Sequence, residues 1–267
     1  MKLPIYQVDA FAAQVFKGNP AALVPLDAWL PDATMQAIAA ENNLSETAFF
    51  VRQGEGYGLR WFTPAVEVDL CGHATLASAW LILNRLDLGR DAVFFETRSG
   101  RLDVTRSGEG EEAPLAMDFP ALPAGPVTPS AGLIEALGGG APAEILGSKN
   151  YLIVYDSAET LRGLAPDMNR LAKADRFGII VTAPGDGGFD FVSRYFAPAK
   201  GVPEDPVTGS AHCTLAPYWS KRLGKRWLDA YQASRRGGIL RCVDNGDRVT
   251  LEGRCAFYLE GSIRIQA

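Results

Sequence analysis

The sequence predicts an α+β protein built from two pseudo-symmetric lobes. Three observations carry this prediction: short strand-like runs outnumber helical ones, each half contains a helix-like run opening on a small-residue turn, and several motifs recur about half the chain apart. Arg60-Trp-Phe-Thr-Pro-Ala65 returns as Arg194-Tyr-Phe-Ala-Pro-Ala199, and His73-Ala-Thr-Leu-Ala-Ser-Ala-Trp80 as His212-Cys-Thr-Leu-Ala-Pro-Tyr-Trp219. Thr97-Arg-Ser-Gly100 echoes Ser234-Arg-Arg-Gly237 in the same order. A repeat this long marks a duplicated domain, because solenoid periods are far shorter. The expected division is 1–122 and 123–267, with the last strand able to return to the first lobe.

Taken in order, strands are expected at 5–11, 21–26, 47–52, 59–63, 93–97 and 102–105, where apolar and β-branched residues alternate or cluster. A helix fits Asp32–Asn42: Pro31 and Asp32 suit its start, and Met35, Ile38 and Ala39 line one face. A second helix, expected over 74–86, is small or apolar almost all round, so it is predicted to be central and buried on every side. Five prolines between Gly108 and Ala131 mark a linker interrupted by one strand-like run, Leu-Ala-Met-Asp-Phe. Further strands are expected at 151–155, 179–182 and 189–196, and helical turns over 158–173 broken at Pro166. A helix follows over 211–223, in which Pro217 predicts a kink or a short start. A strand meander with an Asp244-Asn245-Gly246 turn fills 238–265.

Composition excludes several classes. The 267 residues are 47% hydrophobic and 21% charged, ordinary for a globular chain. No apolar run approaches the ~18 residues of a membrane span, and the first residues carry no signal pattern, so a cytoplasmic location is expected by default. A net charge of −5 argues against nucleic-acid or anionic-membrane partners. Cys71, Cys213, Cys242 and Cys255 are too sparse for a disulfide scaffold and form no C-x-x-C pair. Two histidines without ligand spacing make a poor metal set.

The candidate chemistry lies at the starts of the two helices. Asp69-Leu-Cys-Gly-His-Ala-Thr75 and Glu204-Asp-Pro-Val-Thr-Gly-Ser-Ala-His212 each place glycine and small residues where backbone N–H groups and the helix dipole favour an anion such as a substrate carboxylate. The bland alternative is a pair of capped turns; repetition in both halves favours the functional reading. A lone histidine near a helix start is usually a structural hydrogen-bonder, so one of the two is open to a scaffolding role, and His73, within the first turn after Gly72, is the better catalytic candidate. Glu46 stands where a helix gives way to an apolar strand, and burial beside Phe49 and Phe50 would raise its pKa for proton exchange; a capping or surface carboxylate is the alternative. Asp205 orients a partner or caps a turn, and Ser210 contacts substrate or caps its helix. Cys71 corresponds in the repeat to Ser210, which disfavours a symmetric two-thiol racemase; Cys213 is a displaced partner of low weight.

These motifs together, VDAF, GNPAALV at 18–24, NLSETAFF, LCGHAT and EDPVTGSAH, resemble the PhzF-like isomerase family of phenazine biosynthesis over nearly the whole chain. The resemblance implies the diaminopimelate-epimerase-like fold: two lobes, each a curved, mainly antiparallel sheet around a central helix, with the active site in the cleft between them. It implies a cofactor-free isomerisation of trans-2,3-dihydro-3-hydroxyanthranilate. Glu46 is then the general acid/base, and His73, Asp205 and Ser210 position substrate and assist the proton. Gly72 and Gly209, with Cys71 beside them, meet the substrate carboxylate. It also implies a small-molecule carboxylate partner and a homodimer. An amino-acid racemase or epimerase, or a non-catalytic binding protein on this fold, stands as the alternative. Arg194 and Tyr195 are pocket candidates by position alone.

Overall fold

The computed structural model describes residues 1–266; Ala267, the end of the expected second lobe, lies outside them. The described residues divide into two compact units, one of residues 1–118 with 252–266 and one of residues 119–251.

The first unit opens with β1 (Lys2–Ala10) and β2 (Asn19–Leu26), an antiparallel pair. Helix α1 (Asp32–Asn42) then crosses over to β3 (Glu46–Gln53), which runs parallel to β2. β4 (Gly56–Phe62) returns antiparallel, and β5 (Glu67–Val68) turns the chain into α2 (Gly72–Leu81). A second crossover reaches β6 (Ala92–Thr97), parallel to β4, followed by antiparallel β7 (Gly100–Arg106) and β8 (Leu115–Pro120). The period of two sorts the side chains of these strands onto two faces. Val24, Phe49, Val51 and Phe62 pack with Met35, Ile38 and Ala39 of α1. The opposite face, with Leu23, Ala48 and Trp61, is left for α2. That helix is buried from His73 through Leu81, as its apolar circumference requires. The expected helix over 74–86 is divided: Ile82–Leu86 form a π turn closed by Asp87 N–H on the Ile82 carbonyl at 2.8 Å.

The second unit repeats this order. After β9 (Gly125–Pro126), α3 (Leu133–Leu137) and β10 (Glu144–Gly147), strand β11 (Tyr151–Val154) leads through α4 (Ala158–Arg162) and α5 (Met168–Leu171) to β12 (Ile179–Pro184), parallel to β11. β13 (Phe191–Phe196) is antiparallel, α6 (Gly209–Leu223) crosses over, β14 (Trp227–Gln232) is parallel to β13, and β15 (Gly238–Asp244) antiparallel to β14. The same sequence of parallel and antiparallel pairings in both units is the structural form of the repeat. Its arginine does equivalent work in each: Arg60 grips Glu67 by two bonds of 2.7 and 2.8 Å, and Arg194 grips Glu204 at 2.7 and 3.1 Å, each fixing the turn that feeds a central helix. Arg194, a pocket candidate from sequence, is committed to that turn.

Helix α6 corrects one reading of Pro217, that the helix has a short start. It starts at Gly209 and continues unbroken to Leu223. Pro217 has no N–H for the Cys213 carbonyl four residues back, and Leu122 N–H takes that carbonyl instead at 2.9 Å. The proline-rich stretch is thereby pinned to the helix it frees.

After β16 (Arg248–Gly253), the last strand, β17 (Cys255–Arg264), pairs antiparallel with β1 of the first unit from Cys255↔Ala10 to Arg264↔Lys2.

Candidate active site

Glu46 is the first residue of β3, beside Ala21 of parallel β2. Strand alternation turns it to the α2 face with Ala48 and Phe50, so Phe49 points away from it into the α1 core, contrary to the expected pairing with both phenylalanines. Its neighbours are polar. Oε2 lies 3.1 Å from His73 Nε2, with the Glu46 side chain 16% and the His73 side chain 6% exposed. The contact is short but bent away from a hydrogen-bonding line, a geometry common before substrate arrives. Cys71 Sγ stands 3.5 Å from His73 Nδ1 and Asn19 Nδ2 3.2 Å from the same nitrogen. Sequence reasoning did not single out Asn19, although it sits inside the GNPAALV motif.

Burial is the largest influence on the Cys71 thiol and, with the Glu46 charge, pushes it up to about 11. It is a neutral thiol at physiological pH. Burial opposes charge on His73 as well, but Cys71 and Glu46 outweigh it and draw its pKa well above the ordinary value. Because the thiol carries no charge near neutrality, the carboxylate is the partner responsible there. Glu46, Cys71 and His73 offer donor atoms within 4.8 Å of one another. The thiol approaches one ring nitrogen and the carboxylate the other, however, so the imidazole stands between them rather than beside them around a common point.

Gly72 opens α2, and no side chain caps its first turn. The second unit carries the corresponding feature: α6 opens with buried Gly209 and exposed Ser210, again without a side-chain cap. The short helices α4 and α5 are capped by Ser157 and Asp167, whereas α1 and α3 are uncapped like the central helices. The uncapped central helices leave first-turn amides for an outside anion. Asp205 is half-buried and accepts the Thr208 hydroxyl at 2.5 Å, while Gln232 accepts Thr208 N–H at 2.9 Å and donates to the Asp205 carbonyl at 2.8 Å. Gln232, missed in sequence because it lies on a distant strand, thus sets the turn that presents Gly209 and Ser210.

The histidines differ. His73 is the second residue of α2 and reaches Glu46; His212 is the fourth of α6, fully buried, with Nδ1 2.8 Å from the Thr208 carbonyl. Burial pushes His212 down to about 4. The carboxylate itself has no counterpart. Thr47 pairs with Phe62 and Ile179 with Phe196, the two phenylalanines being equivalent in the repeat, so Gly178 occupies the place of Glu46. A Cβ there would meet the Tyr195 hydroxyl at 2.3 Å.

One carboxylate thus stands beside a buried imidazole, near the uncapped start of a central helix. Residues 8–261 match the phenazine biosynthesis-like protein family. The chain belongs to that family. An uncharacterized isomerase of Pseudomonas aeruginosa is 54% identical over 99% of this chain and all of its own length. The crystal structure of a PhzF-family phenazine biosynthesis protein from Enterococcus faecalis superposes with a TM-score of 0.92 at 46% identity, covering 99% of this chain and all of that one. A hydroxyproline epimerase from Agrobacterium vitis shares the fold alone, at 10% identity and a TM-score of 0.61 over 98% of this chain and 92% of its own. The fold is therefore the diaminopimelate-epimerase-like one expected from the motifs.

Proposed function

We propose that the protein is a cofactor-independent isomerase that moves one proton within a small carboxylate-bearing substrate, with Glu46 as the general acid/base. The observation that carries this reading is the single-sidedness of the base. A racemase working from two faces needs an acid and a base in opposition, yet the position equivalent to Glu46 is Gly178 and the Cys71 thiol is neutral. One carboxylate suits a different reaction, in which a proton leaves one carbon and returns to another on the same face.

In this reading His73 Nε2 steadies the carboxylate, and the first-turn amides at Gly72 receive the substrate's carboxylate and the charge that develops on proton removal. Asp205 and Ser210 enter as substrate-positioning groups on the strength of their motif. The first substrate to test is the cyclic acid trans-2,3-dihydro-3-hydroxyanthranilate. In heavy water, wild type is expected to yield isomerised, deuterium-labelled product by mass spectrometry. Glu46→Gln, which keeps an acceptor for His73, is expected to lose about 10²- to 10⁴-fold in turnover, the usual worth of a general acid/base. Wild-type turnover in a folded Glu46→Gln would remove Glu46 from the chemistry, and no conversion by folded wild type would remove this substrate.

A further inference from the structure

We propose that Asn19 is a positioning residue that decides which nitrogen of His73 carries the proton, keeping it on Nε2 toward Glu46. The inference deepens the proton-shuttle reading and rests on it for its catalytic meaning, but the geometry stands without a substrate. Asn19 is fully buried at the first position of β2, and its Nδ2 lies 3.2 Å from His73 Nδ1. An amide nitrogen only donates, so Nδ1 must accept, and a neutral imidazole that accepts at Nδ1 bears its hydrogen at Nε2. The other group reaching Nδ1, the Cys71 thiol at 3.5 Å, is a weak donor and acts in the same sense. Nε2 then carries its N–H on the side of the Glu46 carboxylate, 3.1 Å away and off the hydrogen-bonding line until the carboxylate or ring shifts. The opposite tautomer would set a nitrogen lone pair against a carboxylate oxygen, and a doubly protonated ring would set Nδ1–H against the amide hydrogens of Asn19. Asn19 therefore opposes the upward pull that Glu46 exerts on the ring.

The second unit supplies the contrast. His212 occupies the corresponding place in the repeated His-x-Thr-Leu-Ala motif, but its Nδ1 meets the Thr208 carbonyl, which only accepts, so its hydrogen is on Nδ1. The two histidines thus hold opposite tautomers, and the difference is the group placed at Nδ1. In the first unit that group is delivered by a costly loop. Phe11 and Phe16 adopt left-handed backbone at φ 60° and 71°, and Gly18 at 64° leaves no room for a Cβ, which would fall 2.1 Å from the Ala10 carbonyl oxygen. The buried Asp9 carboxylate accepts Phe16 N–H at 2.8 Å and fixes that turn immediately before Asn19.

The test is a long-range proton–nitrogen correlation spectrum of protein labelled with ¹⁵N-histidine, recorded without substrate through a pH titration. With two histidines in the chain, His212 serves as an internal Nδ1–H reference. Wild-type His73 is expected to show the Nε2–H signature when neutral. Asn19→Ala is expected to shift the tautomer ratio about fivefold toward Nδ1–H, the equilibrium worth of one hydrogen bond, and to move the His73 midpoint upward. A wild-type His73 with its proton on Nδ1, whether alone or as an imidazolium that never sheds it, overturns the proposal, as does an unchanged ratio in Asn19→Ala. If that variant does not fold, the wild-type signature decides alone. Because no substrate is present, the outcome is independent of the deuterium experiment that tests the isomerase reading.

Discussion

Replacing His212 by Asn isolates a proton-linked contribution to stability in the second unit. The ring is fully buried, Nδ1–H donates to the Thr208 carbonyl, and Nε2 has no hydrogen-bond partner among the described residues. A proton arriving at Nε2 would be a charge with neither water nor acceptor, and burial holds the pKa down at about 4 against an ordinary 6.5. The unfolded chain binds this proton near 6.5 and the folded chain only near 4. The contribution is therefore whole above the unfolded value and is lost as pH falls toward the folded one. A gap of about 2.5 units, at 1.36 kcal/mol each, corresponds to about 3 kcal/mol. Asn presents an amide N–H to the same carbonyl and cannot titrate. Urea unfolding of both proteins from neutral pH down to about 4 measures the difference. Wild type should lose about 3 kcal/mol more than His212→Asn over that range, whatever the fixed cost of the substitution. Parallel pH profiles would refute the argument, since they would mean that the buried ring accepts its proton without penalty.

Other outcomes follow from the same geometry. Cys71→Ser should leave turnover within about tenfold of wild type, because a thiol pushed up to about 11 is not the base; a loss as large as that of Glu46→Gln would restore thiol chemistry. Alkylation of Cys71 in the folded protein should be slow at neutral pH and accelerate only on denaturation, as peptide mass spectrometry can follow. Gly178→Ala should destabilise by about 1–3 kcal/mol through the Tyr195 hydroxyl, and Tyr195→Phe in the same chain should recover part of that loss in a double-mutant cycle. Additive effects would show that the two side chains do not collide.

Much of this architecture is legible in residue patterns, and the gaps have physical causes. Helix α1 has the bounds that Pro31, Asp32 and the Met35–Ile38–Ala39 spacing dictate. The Arg-aromatic-Phe motif marks equivalent strands because its arginine fixes equivalent turns. The contact of Glu46 with His73 is not readable from spacing, since it depends on two crossovers bringing β3 and α2 to the same face. The role expected for Phe49 fails on a point that strand alternation already contains: an odd step along β3 reverses the face. Pro217 misleads because a proline's cost in a helix is set by whether the abandoned carbonyl finds another donor, and Leu122 lies far away in sequence. Asn19 went unnoticed because its direction is set by left-handed residues at Phe16 and Gly18, and phenylalanine gives no hint of such a conformation.

The pairing of β1 with β17 orders events on the ribosome. Residues 119–251 form one continuous compact unit and have all their partners as soon as they emerge. The other unit, which holds Asn19, Glu46 and His73, lacks a strand until Cys255–Arg264 has been made, although its own β1 was made well before. β1 thus waits with one edge open while the residues up to β17 are made, a long-range closure of the kind that slows folding and invites association with other chains. The unit that holds Glu46 and His73 is thus closed by a strand far from both of them in sequence.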